Sequence, residues 1–209
     1  MRLTFLVDGF NLYHSIIEVE NKTKLRLKWL NIRSLCEAYV PNIDSKAKIE
    51  EIYYFSAYAK HRLAKDPDVI NRHKIYIEAL RSADINIELG HFKSKKINCP
   101  KCHNLITRYE EKETDVAIAI KIFELFFHKK ADHLILITGD TDLVPAVKSA
   151  LNIFRKKVSI IFPYNRYNAA FLSLANKTIK IKSNEYLKHQ FDNRLNISET
   201  RTISKPSSW

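Results

Sequence analysis

Short apolar runs alternate with longer stretches in which apolar residues recur every three to four positions. Leu3–Val7 is apolar except for Thr4 and stops at Asp8-Gly9, which predicts a buried strand. Trp29, Ile32, Leu35, Cys36 and Tyr39 fall at helical spacing, with Pro41 expected to end that helix. Ile49–Tyr58 predicts a second strand, and Pro67 opens a helix that continues through Ile70, Ile75 and Leu80. Ile85–Leu89 predicts a third strand and Thr114–Phe127 a strongly apolar helix. His133–Thr138, Asp142–Leu151 and Lys157–Phe162 then predict strand, helix and strand.

Strands alternating with helices predict an α/β fold with a central, mainly parallel five-stranded sheet. Near-continuous apolar strands imply that helices cover both of its faces. The pattern fades after about Lys182, so residues 1–182 are expected to form one domain. Residues 183–209 are expected to be a basic, poorly ordered tail.

Composition narrows the classes. Of 209 residues, 45% are hydrophobic and 28% charged, enough apolar material to exclude disorder throughout. No run approaches the ~20 apolar residues that a membrane-spanning helix needs. Only five residues, Leu3–Val7, follow Met1-Arg2 before Asp8, too few for the apolar core of a secretion signal, and the expectation is a cytoplasmic protein. Three cysteines, an odd count, argue against a disulfide framework. Lys and Arg number 35 against 23 Asp and Glu, a net charge of +12 that points to a polyanion, nucleic acid before an anionic membrane surface. Solubility alone is the bland alternative.

Four aspartates carry the candidate chemistry. Asp8 follows the first strand, and Asp140 and Asp142 follow the fourth in Ile137-Thr138-Gly139-Asp140-Thr141-Asp142. Ligands of open parallel sheets bind beyond the carboxyl ends of strands, so these three meet if strands one and four are neighbours. Asp115 starts the apolar helix and is held near the same ends. Two of only three glycines, Gly9 and Gly139, adjoin Asp8 and Asp140, as tight turns or close approaches would require. Taken singly, each acid has an ordinary explanation. Asp142 would cap a helix, Asp8-Gly9 would be a turn, and Asp115 would favour a helix dipole. Together they would repel one another unless a cation joined them, and oxygen-only ligands favour Mg²⁺ or Mn²⁺.

Three strings carry a resemblance. Leu6-Val7-Asp8-Gly9-Phe10-Asn11-Leu12, the segment from Glu110 to Ala119 around Asp115, and Thr138-Gly139-Asp140-Thr141-Asp142-Leu143-Val144-Pro145 occur in order. The chain resembles the NYN domain family, LabA-like proteins within the PIN-like nuclease superfamily, over roughly Met1 to Lys182. Thr138 stands where the family usually has Ser and Leu143 where it usually has Phe. The resemblance implies a three-layer α/β/α PIN-like fold and metal-dependent cleavage of RNA. It puts the acidic, catalytic and metal-holding positions on Asp8, Asp115, Asp140 and Asp142. Asn11 falls on the polar position beside the first acid. Asn11 and Thr138 would orient ligands or substrate, and Lys112 would contact a phosphate or sit solvated at the start of the helix.

Cys99-Pro100-Lys101-Cys102-His103 is a C-x-x-C pair inside an insertion at about residues 93–108. Two thiolates are half of a structural Zn²⁺ site. His91 and His103, or a second copy of the pair in a homo-oligomer, are candidates to complete it; a plain pair of thiols is the alternative. Lys93, Lys95, Lys96, Lys101 and Arg108 surround this pair and lead towards Asp115, as a phosphate-binding groove would. Tyr13, Phe92, Tyr109, Tyr164 and Tyr167 are candidates to stack unpaired bases of single-stranded or looped RNA, or are packing residues. Two functions follow: a metal-dependent ribonuclease, or an RNA-binding or regulatory module whose acidic site is dormant. A haloacid dehalogenase-type phosphotransferase would need Asp-x-Asp after the first strand, where Phe10 stands.

Overall fold

The computed structural model describes residues 1–98 and 100–209. Among these residues nine strands run β1 Arg2–Asp8, β2 Lys48–Ala57, β3 Asn86–Asn98, β4 Leu105–Lys112, β5 His133–Ile137, β6 Lys157–Phe162, β7 Lys177–Lys180, β8 Arg194–Ser198 and β9 Arg201–Ser204. Six helices run α1 Gly9–Thr23, α2 Ile32–Ile43, α3 Val69–Ser82, α4 Thr114–Phe127, α5 Val144–Phe154 and α6 Glu185–Lys188. The main sheet has seven strands among the described residues, in the order β4-β3-β2-β1-β5-β6-β7, rather than the five expected. All neighbours are parallel except β3 and β4. The two extra strands carried little signal. β4 is charged and largely exposed, and β7 has only four residues with lysine at each end.

Side chains along β1 divide alternately between the two faces. Leu3, Phe5 and Val7 join Leu12 and Ile16 of α1, Leu35 of α2 and Leu80 of α3. Leu6 joins Ile118 and Ile122 of α4 and Val147 of α5 on the other face. The result is three layers, helix on sheet on helix, with β1 buried in the middle.

Local chemistry sets several boundaries. Asn31 caps α2 by accepting from the Ser34 amide at 3.1 Å. Pro41 lies inside the last turn of α2, which runs two residues further than expected. Pro145 occupies the first turn of α5, where its missing N–H costs nothing. The segment 183–209, expected as a loose tail, is packed instead. Tyr186 is fully buried, with its hydroxyl 2.7 Å from Ser15 Oγ. The Trp29 indole donates to the Asp192 carbonyl at 2.9 Å, and β8 and β9 form a separate hairpin. Trp209 packs against Trp29 and Tyr76. These anchors are single aromatics spaced irregularly in polar sequence, so no periodicity announces them. No helix among the described residues is long and apolar enough to cross a membrane.

Candidate metal centre

The chain runs outward from β1 to β4 on one side, then returns beside β1 as β5 and runs outward to β7 on the other. Loops leaving β1 and β5 therefore part and open a crevice at their carboxyl ends. β1 pairs with β5 in register from Leu3↔His133 to Val7↔Ile137, which brings the residues that follow side by side.

Asp8 ends β1 and caps α1, its Oδ1 accepting from the Asn11 amide at 3.0 Å. Its Oδ2 accepts from Thr138 Oγ1 at 2.8 Å. The same Thr138 oxygen accepts from the Asp140 amide at 3.0 Å, and Asn11 Oδ1 accepts from the Gly139 amide at 3.0 Å. Thus Asn11 and Thr138 tie the two strand ends together. Asp140 Oδ1 in turn caps a short 3-10 turn at Thr141–Leu143, accepting from the Asp142 amide at 3.0 Å.

Gly139 is required by close approach rather than by an unusual backbone angle. A Cβ there would lie 1.8 Å from the Arg166 carbonyl oxygen. At Gly9 a Cβ would lie 2.4 Å from the Phe55 carbonyl oxygen. Asn168 Nδ2 donates to the Gly139 carbonyl at 3.0 Å, fastening the loop after β6 over the strand ends.

Asp115 enters from the other side, in the first turn of α4. Glu113, which precedes the helix, holds φ 80°, a left-handed angle that is costly for a residue with a Cβ. Its carboxylate meets His91 Nδ1 at 2.8 Å. Buried Thr114 donates through its amide and its hydroxyl to Glu111 Oε1, which fixes the Glu111 carboxylate at the start of the helix.

Asp8, Asp115 and Asp140 each offer a carboxylate oxygen, and these atoms lie within 4.8 Å of one another. They line a cavity of about 180 Å³ together with Glu111, His14 and Arg166. Burial pushes the Asp8 carboxyl up to about 6, against the hydrogen bonds from Asn11 and Thr138 and with the repulsion of Asp140 and Glu111. Asp115 is raised to about 6, first by burial and then by Asp140, Asp8, Glu111 and Asp142. Two carboxyls raised by burial and by the charge of their acidic neighbours, with a third within reach, mark a place that a divalent cation could occupy.

The other expected residues divide. Asp142 is exposed on the 3-10 turn, outside the group of three carboxylates. Lys112 is exposed and pairs with Glu110 at 3.1 Å, so it does not line the cavity. Cys99 lies outside the described residues, and Cys102 is exposed in the connection between β3 and β4. Glu111, His14 and Arg166 were not singled out from the sequence. His14 stands one helical turn beyond Asn11, which is a signal for a shared face. Arg166 follows a strand neighbouring β5 at the same end of the sheet, which only the strand order reveals.

A mainly parallel sheet covered on both faces, with acids gathered where its strand order reverses, defines an open α/β protein with its site at the carboxyl ends of the strands. The chain belongs to the NYN domain family, whose model matches residues 2–182. It is similar to 6-hydroxy-3-succinoylpyridine 3-monooxygenase HspA of Pseudomonas putida (strain DSM 28022 / S16), with 24% identity over 196 residues. That match covers 80% of this chain and 61% of the relative, so the chain spans about three fifths of that protein. Among solved structures it is similar to a protein of unknown function, VPA0982, from Vibrio parahaemolyticus RIMD 2210633. The TM-score is 0.58 at 15% identity, covering 87% of this chain and 93% of that one, and the likeness is one of fold.

Proposed function

We propose that the protein is a metal-dependent ribonuclease that hydrolyses phosphodiester bonds at the Asp8–Asp115–Asp140 centre. The convergence of three carboxylate oxygens within 4.8 Å carries the reading. Oxygen-only donors suit a hard cation, Mg²⁺ or Mn²⁺. Bound there, such an ion would neutralise charge on the phosphoryl oxygens and lower the pKa of a water for in-line attack at phosphorus.

The chain's own residues supply the rest. Thr138 and Asn11 hold Asp8 and the Gly139-Asp140 backbone in one geometry, so the ligand oxygens need little rearrangement. Arg166 lines the same cavity as the acids, its guanidinium 3.9 Å from Glu18 and suited to a phosphate oxygen. Glu111, oriented by Thr114, stands where it can take the proton released by the attacking water. The bond to the 3′ oxygen breaks, leaving a 5′-phosphate. Exposed Lys93, Lys95, Lys96 and Arg108 on the β3–β4 hairpin, with the net charge of +12, support a polyanionic substrate. Asp142, at the rim, would act on the centre only through its charge.

The activity named for the Pseudomonas relative belongs to a longer protein and forms no part of this proposal. The test is cleavage of single-stranded and structured RNA with Mn²⁺ by the wild type and by Asp140→Asn. The expected result is cleavage that EDTA stops and that falls at least about 100-fold in the variant. RNA bound but uncut by the wild type would instead assign a binding module with a dormant site.

A further inference from the structure

A second and larger cavity, about 450 Å³, opens beside the acidic one and shares Phe10, His14 and Glu111 with it. It lies at the carboxyl end of β2, under the start of α3, and Trp209 forms part of its wall. Its size falls within the range of about 300–1,000 Å³ common to small-molecule sites. Aromatic rings dominate it. Phe92 meets Phe10 edge-on at 5.6 Å between ring centres, and the His61 ring centre lies 4.5 Å from that of Phe92. Among these rings stand two polar groups, Ser56 Oγ and His73 Nε2, 3.5 Å apart and so only weakly occupied with each other. Burial pushes the His73 imidazole down to about 4, so it faces the cavity neutral. Exposed Arg62 adds a positive charge among the lining residues.

We propose that this cavity receives one base of a single-stranded RNA substrate while the adjoining phosphate lies on the acidic centre. The inference rests on reading that centre as a site for phosphate and metal. A splayed nucleotide needs a flat-walled pocket with a few edge-directed polar groups one sugar's length from its phosphate. The two adjoining cavities share Phe10, His14 and Glu111 as lining, which sets the aromatic pocket directly beside the acidic centre.

The test compares uridine and adenosine 5′-monophosphates, ribose 5-phosphate, and free uracil and adenine, by titration calorimetry with Mn²⁺ present. At least one nucleotide is expected to bind about tenfold or more tighter than ribose 5-phosphate. Val69→Trp, which fills the cavity from its lining, is expected to erase that difference and leave ribose 5-phosphate binding unchanged. Equal binding of nucleotides and ribose 5-phosphate by the wild type overturns the proposal without need of any variant. So does a free base that binds as tightly as its nucleotide, which would assign the cavity to a free heteroaromatic ligand. RNA cleavage is assayed separately. Its absence beside an intact preference for nucleotides would sink the nuclease reading alone.

Discussion

Asp8 stands in conflict with its surroundings. With its carboxyl raised from 3.8 to about 6, the folded metal-free protein keeps a proton that the unfolded chain releases. Stability from this group is therefore full below about pH 4 and is lost as pH rises through 6. His73 and His133 act in the opposite sense. Burial pushes both imidazoles down to about 4, so their contribution is present above pH 6.5 and is lost as pH falls towards 4. The opposing slopes partly cancel in the wild type, and a single substitution separates them. Asp8→Asn, melted in EDTA, is expected to be more stable than the wild type by about 1–3 kcal/mol at pH 7.5. The gain should shrink to nothing near pH 4. Added Mn²⁺ should raise the melting temperature of the wild type and leave that of the variant unmoved. At this scale the sequence is legible where an acid ends an apolar run, as Asp8 does, follows one after a short polar turn, as Asp140 does, or opens an apolar helix, as Asp115 does. Arg166 was illegible because it sits in a loop with no periodicity and reaches the acids only through tertiary packing.

Among elements, the loops after β5 and β6 cross closely at Gly139. Gly139→Ala would drive a methyl into the Arg166 carbonyl, backbone against backbone with no flexible side chain to yield. A loss of about 2–4 kcal/mol in denaturant unfolding is expected, with cleavage lost even where the protein remains folded. The β3–β4 hairpin is the opposite case, an exposed arm with room for change. Replacing Lys93, Lys95 and Lys96 by Glu should weaken RNA binding and flatten its dependence on salt, by a slope of about 1 for each phosphate left without its lysine. Stability should scarcely move, because these side chains are exposed. Helix α4 was read from its apolar density at the bounds observed, Thr114–Phe127. Helix α1 is hidden in the sequence, because Asp8 ends an apolar strand and caps the helix at once. Strand β4 escaped because its exposed faces erase the contrast between inside and outside.

Taken whole, the molecule extends past the family match. That match ends at residue 182, yet Tyr186, Phe191 and Ile203 are buried in the same core as α1 and α2. Arg201 adds a two-pronged ion pair to Glu78 of α3 at 2.7 and 2.8 Å. Tyr186→Ala is expected to cost about 3–5 kcal/mol in unfolding free energy, comparable to other buried aromatic truncations. A small effect would show that the segment is dispensable for the fold.

One consequence follows from the placement of β1 at the middle of the sheet. Asp8 and its hydrogen-bond partner Thr138 are separated by 130 residues. A ribosome adding about 5–20 residues per second needs on the order of ten seconds to travel between them. Until β5 emerges, one edge of β1 has no neighbour and the three carboxylates have no common address. A half-made chain therefore has no gathered centre, and the three acids can meet only once synthesis has passed Asp140.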